Sequence, residues 1–173
     1  MLSAITTIEQ MLLRPYSKKN TLKVTTLIGN DKKLFAELMV CFFGKNFRLC
    51  QHAANVLNNI APKYPPLFRP YFKSLITALR HAPHDSFKRN TLRLFQFIDV
   101  PSKYHGDLAN HCFYFLSSRK EPIAIKIFSM TVLADLCQSI PEFKKELKLM
   151  IEDQLPFASP AFKNRASKLL DRL

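Results

Sequence analysis

Arg48, His52, Asn55 and Asn59 recur at three- and four-residue steps, a spacing that puts them in one stripe on a helix. Opposite them lie Cys50, Ala53, Ala54 and Leu57. Arg89, Arg93 and Gln96 repeat the arrangement later in the chain, Lys19 and Lys23 carry it earlier, and Lys126 continues the row. Aligned side by side, such stripes make a basic groove. A groove of that kind can track a phosphate backbone, with counterion release driving binding. The competing reading is a solvated polar face, the usual fate of a charge run. An interval without Asp or Glu sharpens the first reading. The 47 residues between Glu37 and Asp85 hold Lys45, Arg48, Lys63, Arg69, Lys73 and Arg80 and no acid.

Other chemistry is sparse. His81, His84 and Asp85 offer imidazole and carboxylate donors, but a zinc site needs three or four convergent ligands and no partner cluster is apparent. His84 or Asp85 is the expected N-cap of the helix that follows, with Asp85 preferred. The chain contains no G-x-S-x-G, P-loop or G-x-G-x-x-G and no paired carboxylates in an apolar setting, so no enzyme activity and no cofactor are expected. Among the aromatic residues, Tyr64, Tyr71 and Tyr104 fall near turns and could serve as stacking platforms. The 15 Phe mostly take stripe positions and read as core. Cys41, Cys50, Cys112 and Cys137 form no C-x-x-C pair and sit on apolar faces, as reduced, buried thiols of a cytoplasmic protein would. The segment MLSAITTIEQMLL lacks a basic leader and carries Glu9, and no 18-residue apolar run exists, so neither a signal peptide nor a membrane span is expected.

The elements that must position these residues are helices. Gly is rare, at 3 in 173, and the 11 Pro punctuate apolar stretches instead of interrupting them. The 3.6-residue period predicts helices at 3–13, 17–28, 31–43, 47–60, 66–80, 86–98, 104–117, 122–140, 142–155 and 159–173. Gly29 is the expected left-handed cap of the second. The phrase KRNTLRLFQFI, Lys88 to Ile98, is a near-copy of KKNTLKVTTLI, Lys18 to Ile28, 70 residues earlier. Its apolar stripe is Thr91, Leu94, Phe95 and Ile98, matched in the last helix by Ala166, Leu169, Leu170 and Leu173. Basic-start helices begin at Phe47, Phe87, Ala124 and Phe162, separated by 40, 37 and 38 residues. That cadence is right for stacked helix pairs, which bury their apolar faces on one another.

FRLCQHAANVLNNI resembles the second helix of HEAT/armadillo-type repeats, which typically begins with a basic residue and continues A-x-x-A-L. The stretches AIKIFSMTVLADL and SPAFKNRASKLLDRL resemble a family of small uncharacterised bacterial HEAT-like proteins. The resemblance implies an all-α fold, a right-handed α-α superhelix of about four to five helix pairs in one domain. Members of such families sometimes carry an adenylosuccinate lyase label. That superfamily requires a much longer chain and a Gly- and Ser-rich mobile loop, whereas this chain has three scattered Gly and only the Ser117–Ser118 pair. HEAT-like alkylpurine DNA glycosylases use a basic groove with Trp and an acidic residue. Here Trp is absent and none of the stripes carries an acid.

The expectation is therefore a non-enzymatic binding module. Its partner is another protein, such as an acidic segment, or alternatively a nucleic acid, with a glycosylase-like role third. The expected state is a monomer or a weak homodimer through an uncapped end of the stack.

Overall fold

The computed structural model describes residues 7–82 and 84–173. Ser3, the expected start of the first helix, lies outside the described residues. All regular structure among the described residues is helical, in two compact units, Met1–Phe72 and Lys73–Leu173.

The first unit contains α1 (Thr7–Leu13), α2 (Lys18–Ile28), α3 (Lys32–Phe43) and α4 (Phe47–Ile60), followed by a 3₁₀ segment, Pro65–Tyr71. Ser17, Asp31 and Asn46 cap α2, α3 and α4, their side-chain oxygens accepting first-turn backbone N–H groups. Gly29 joins α2 to α3 with a positive φ of 46° but a ψ of −118°. It is not the left-handed cap the sequence suggested. Those angles and the Asp31 N–H donating to the Ile28 carbonyl at 2.7 Å form a type II′ turn, whose first central position favours Gly. The unit's core surrounds α4, which packs against α1, α2 and α3. Leu49, Cys50, Ala53, Ala54, Val56, Leu57 and Ile60 of α4 are buried.

The second unit holds the rest of α5 (Phe72–Arg80), then α6 (Asp85–Leu94), α7 (His105–Ser117), α8 (Ile123–Leu136), α9 (Phe143–Gln154) and α10 (Pro160–Leu170). The expected helix at 66–80 is thus divided. Pro70 has no N–H and would clash with the carbonyl four residues back, so a regular α-ladder begins only at Phe72. The helix expected to run to Ile98 ends at Leu94, and Gln96 and Phe97 close tighter bonds to Arg93 and Leu94. The N-cap of α6 is His84, not Asp85: its Nδ1 accepts the Phe87 N–H at 3.1 Å and the Ser86 hydroxyl at 2.7 Å. Asp85 sits inside the first turn, where a negative charge still suits the helix dipole.

At the centre of this unit lies α8, most of which is buried. Six consecutive residues, Ser129 to Ala134, are buried, which is more than one full helical turn. Such a helix needs neighbours all round, and α8 has them in α6, α7, α9 and α10. Lys88 of α6 and Glu121, before α8, form an ion pair at 2.6 Å. Glu121 is 9% exposed, and the Lys88 ammonium also lies 5.3 Å from the Phe115 ring centre.

Two tests of the core follow from these contacts. Lys88→Met alone leaves the nearly buried Glu121 carboxylate uncompensated and should cost about 3 kcal/mol in denaturant unfolding, while adding Glu121→Leu should restore most of it. Equal losses in the single and double variants would show that packing, not charge pairing, holds this corner. All four cysteines are free and buried, and burial first of all raises Cys41 and Cys50 to about 11 and pushes Cys112 and Cys137 up as well. At pH 8 a thiol reagent should therefore label them only as fast as the protein unfolds.

Candidate functional site

The repeated phrase keeps the same faces in both copies. Thr21 and Thr91, Val24 and Leu94, Thr25 and Phe95, and Ile28 and Ile98 are buried in pairs. Lys19 and Arg89, Lys23 and Arg93, and Leu27 and Phe97 are exposed in pairs. Asn20 and Thr26 are more open than their counterparts Asn90 and Gln96, and two further positions depart as well. Lys18 is exposed, whereas Lys88 is held in its ion pair with Glu121. Leu22 is 45% exposed, whereas its counterpart Leu92 is 0% exposed. The solvent face of α2 therefore mixes cations with aliphatic surface: Lys19, Leu22, Lys23 and Leu27. On α6 the outward line is Asp85, Arg89 and Arg93, one turn apart, with Gln96 half-buried beyond them.

The α4 stripe divides. Arg48 is exposed at its start. His52 is half-buried and donates Nδ1–H to the Leu12 carbonyl at 2.6 Å, since a carbonyl can only accept. It also packs beside Tyr16. Asn20 of α2 donates to the neighbouring Met11 carbonyl at 2.9 Å. Together the two side chains satisfy carbonyls at the end of α1 that the helix itself leaves open. Asn55 is half-buried, and Asn59 donates back to the Asn55 carbonyl at 3.0 Å. Lys126 sits half-buried on α8, its Nζ donating to Gln154 Oε1 at 2.8 Å, and burial lowers its pKa. Gln154 in turn donates to the Leu116 and Met150 carbonyls. Lys126 thus links α8 to α9. Of the aromatic candidates, Tyr71 packs edge-on to Phe35 and Tyr104 lies under Lys103.

Charge is uneven within the first unit. Residues 1–72 contain ten Lys and Arg against Glu9, Asp31 and Glu37. Every one of the ten is exposed. Asp31 accepts the Lys33 and Leu34 N–H groups, and Glu37 accepts the Ile8 N–H at 3.3 Å. Two of the three acids are therefore committed to the backbone, and the cations face water with little local compensation.

A second feature escaped the sequence reading. In the second unit, α5 and α7 flank a cleft of about 610 Å³ lined by Arg80, His81, Asp107, His111 and Phe115. Its signal was present: Asp107, Asn110, His111 and Tyr114 stand at i, i+3, i+4 and i+7. Burial lowers the His111 pKa from its ordinary value, Asp107 opposes that shift and Arg80 adds to it. No group of three or more His, Cys, Asp or Glu side chains that could hold a metal converges among the described residues. None of their helices is long and apolar enough to cross a membrane.

A family model described as HEAT repeat domain matches residues 8–173. No curated protein and no solved structure matches the chain.

The cleft gives a measurable titration. Followed by NMR, His111 should titrate below 6.5, Arg80→Gln should raise its midpoint and Asp107→Asn should lower it further. The folded protein binds this proton less tightly than the unfolded chain. His111 therefore costs no stability above pH 6.5, and its penalty grows as pH falls until the folded midpoint is passed. A midpoint above 6.5 in the wild-type protein would contradict this account.

Proposed function

Because the chain belongs to the family of the HEAT repeat domain, we propose that it is a non-enzymatic binding module whose α2 face takes an acidic segment of another protein. HEAT repeats are in general protein-interaction scaffolds. The observation that carries the reading is Leu22. It occupies a position that the second copy of the phrase buries completely, yet here it lies open between Lys19 and Lys23. A partner that covers Leu22 and Leu27 with apolar side chains, and places carboxylates against the two lysines, matches both kinds of surface. Arg48 extends the basic surface of the same unit, and Arg89 and Arg93 offer a second basic line on α6.

The ten exposed cations of residues 1–72 favour a second reading, a nucleic acid. A phosphate backbone would use the lysines but gains nothing from Leu22, because interfaces with nucleic acids are dominated by polar and charged contacts. The two readings separate in one experiment. Fluorescence anisotropy is measured with an acidic, Leu-containing peptide and with short single- and double-stranded DNA and RNA, at about 50 and 200 mM salt. The variants are Lys19→Glu/Lys23→Glu and Leu22→Ser. The protein reading expects peptide binding weakened about tenfold by either variant, with a modest salt slope. Nucleic-acid binding with a steep salt slope, lost in the double charge reversal and indifferent to Leu22→Ser, would replace it.

A further inference from the structure

We propose that the cleft between α5 and α7 binds a small zwitterion of amino-acid or dipeptide size, its carboxylate on Arg80 and its ammonium on Asp107. The volume, about 610 Å³, lies within the ordinary range for small-ligand sites. What selects the ligand is the arrangement of charge. Arg80 and Asp107 line the same cleft, yet neither takes part in an ion pair among the described residues. A cation and an anion that share a cleft without meeting are both unmatched. A simple anion is attracted by one and repelled by the other, and a simple cation meets the reverse. Only a ligand carrying both charges gains at both ends.

The remaining walls fit that ligand. His111 responds to both Arg80 and Asp107, so the two charges act on one place. Held neutral at pH 7, its ring contributes hydrogen bonding without adding a third charge. Tyr114, 66% exposed, gives the same cleft an aromatic surface, with the buried Ile76 and Phe115 beneath the lining. An apolar side chain between the two charged termini has a surface to lie on. This cleft belongs to the second unit and uses none of the α2 residues, so it is independent of the docking face.

The test uses the full chain and glycyl-phenylalanine as probe, followed by NMR at the His111 and Ile76 signals. Acetate, methylammonium and the same dipeptide capped at both termini serve as comparators. Saturable shifts with the free dipeptide are expected, weakened about tenfold in Arg80→Gln and again in Asp107→Asn. The three comparators should each bind at least about tenfold more weakly, a result that needs no variant to fold. Acetate binding as well as the dipeptide would make this a plain anion site and overturn the proposal. Equal binding of the capped dipeptide, or no saturable shift with any probe, would overturn it as well.

Discussion

The unbroken buried run Ser129 to Ala134 turns more than once around α8, so that stretch of the helix must be enclosed by its neighbours. Most of the second unit follows from enclosing it. Four helices close around it, and the polar groups they bring inward must be paired where they land. Lys126 shows the consequence. Sequence spacing puts it in line with other basic residues, but it projects from a half-buried position beside α9. Its ammonium therefore finds Gln154 instead of an open groove. The first unit solves the same problem less completely. There α4 has three packed neighbours and leaves Arg48 at one end in water.

Helix ends impose the second constraint. Each end leaves backbone groups that the helix cannot satisfy, and this protein assigns side chains to them with economy. Ser17, Asp31, Asn46, His84 and Ser159 take N–H groups. His52, Asn20 and Gln154 donate to carbonyls of α1, α7 and α9. Histidine and asparagine residues that look like ligand groups in the sequence are thus tied to the fold. Glu37 and Glu121 are drawn in too, and the exposed Asp31 is committed to the start of α3. Lysines and arginines have no comparable role at helix N-termini, so they stay outside. The surface of residues 1–72 becomes more basic than composition alone implies.

The internal repeat joins these two constraints to function. Both copies of the phrase bury the same stripe and expose the same cations, because the stripe has one helical period in each. They differ at Lys18/Lys88 and Leu22/Leu92. α6 lies against the largely buried α8, and Lys88 has the Glu121 carboxylate close by. Where the repeat breaks, one copy is closed and the other open. The open one, α2, leaves Leu22 exposed between Lys19 and Lys23.

The sequence by itself determined the helical class, the repeat and its resemblance to HEAT-type repeats, the buried cysteines and most helix positions. Each of these depends on local spacing, and local spacing is what a sequence contains. Pro70 inside a proposed helix shows the limit even there, since a residue without an N–H moves the start of a regular helix by a few residues. Only the tertiary structure decided which polar residues were available. His52 and Lys126 share a basic pattern with Arg48 and Arg93, yet their partners, Leu12 and Gln154, lie 40 and 28 residues away. The cleft of Arg80, Asp107 and His111 likewise joins two helices, neither of which encodes it alone. Periodicity specifies a face, whereas the packing of distant segments specifies what that face meets.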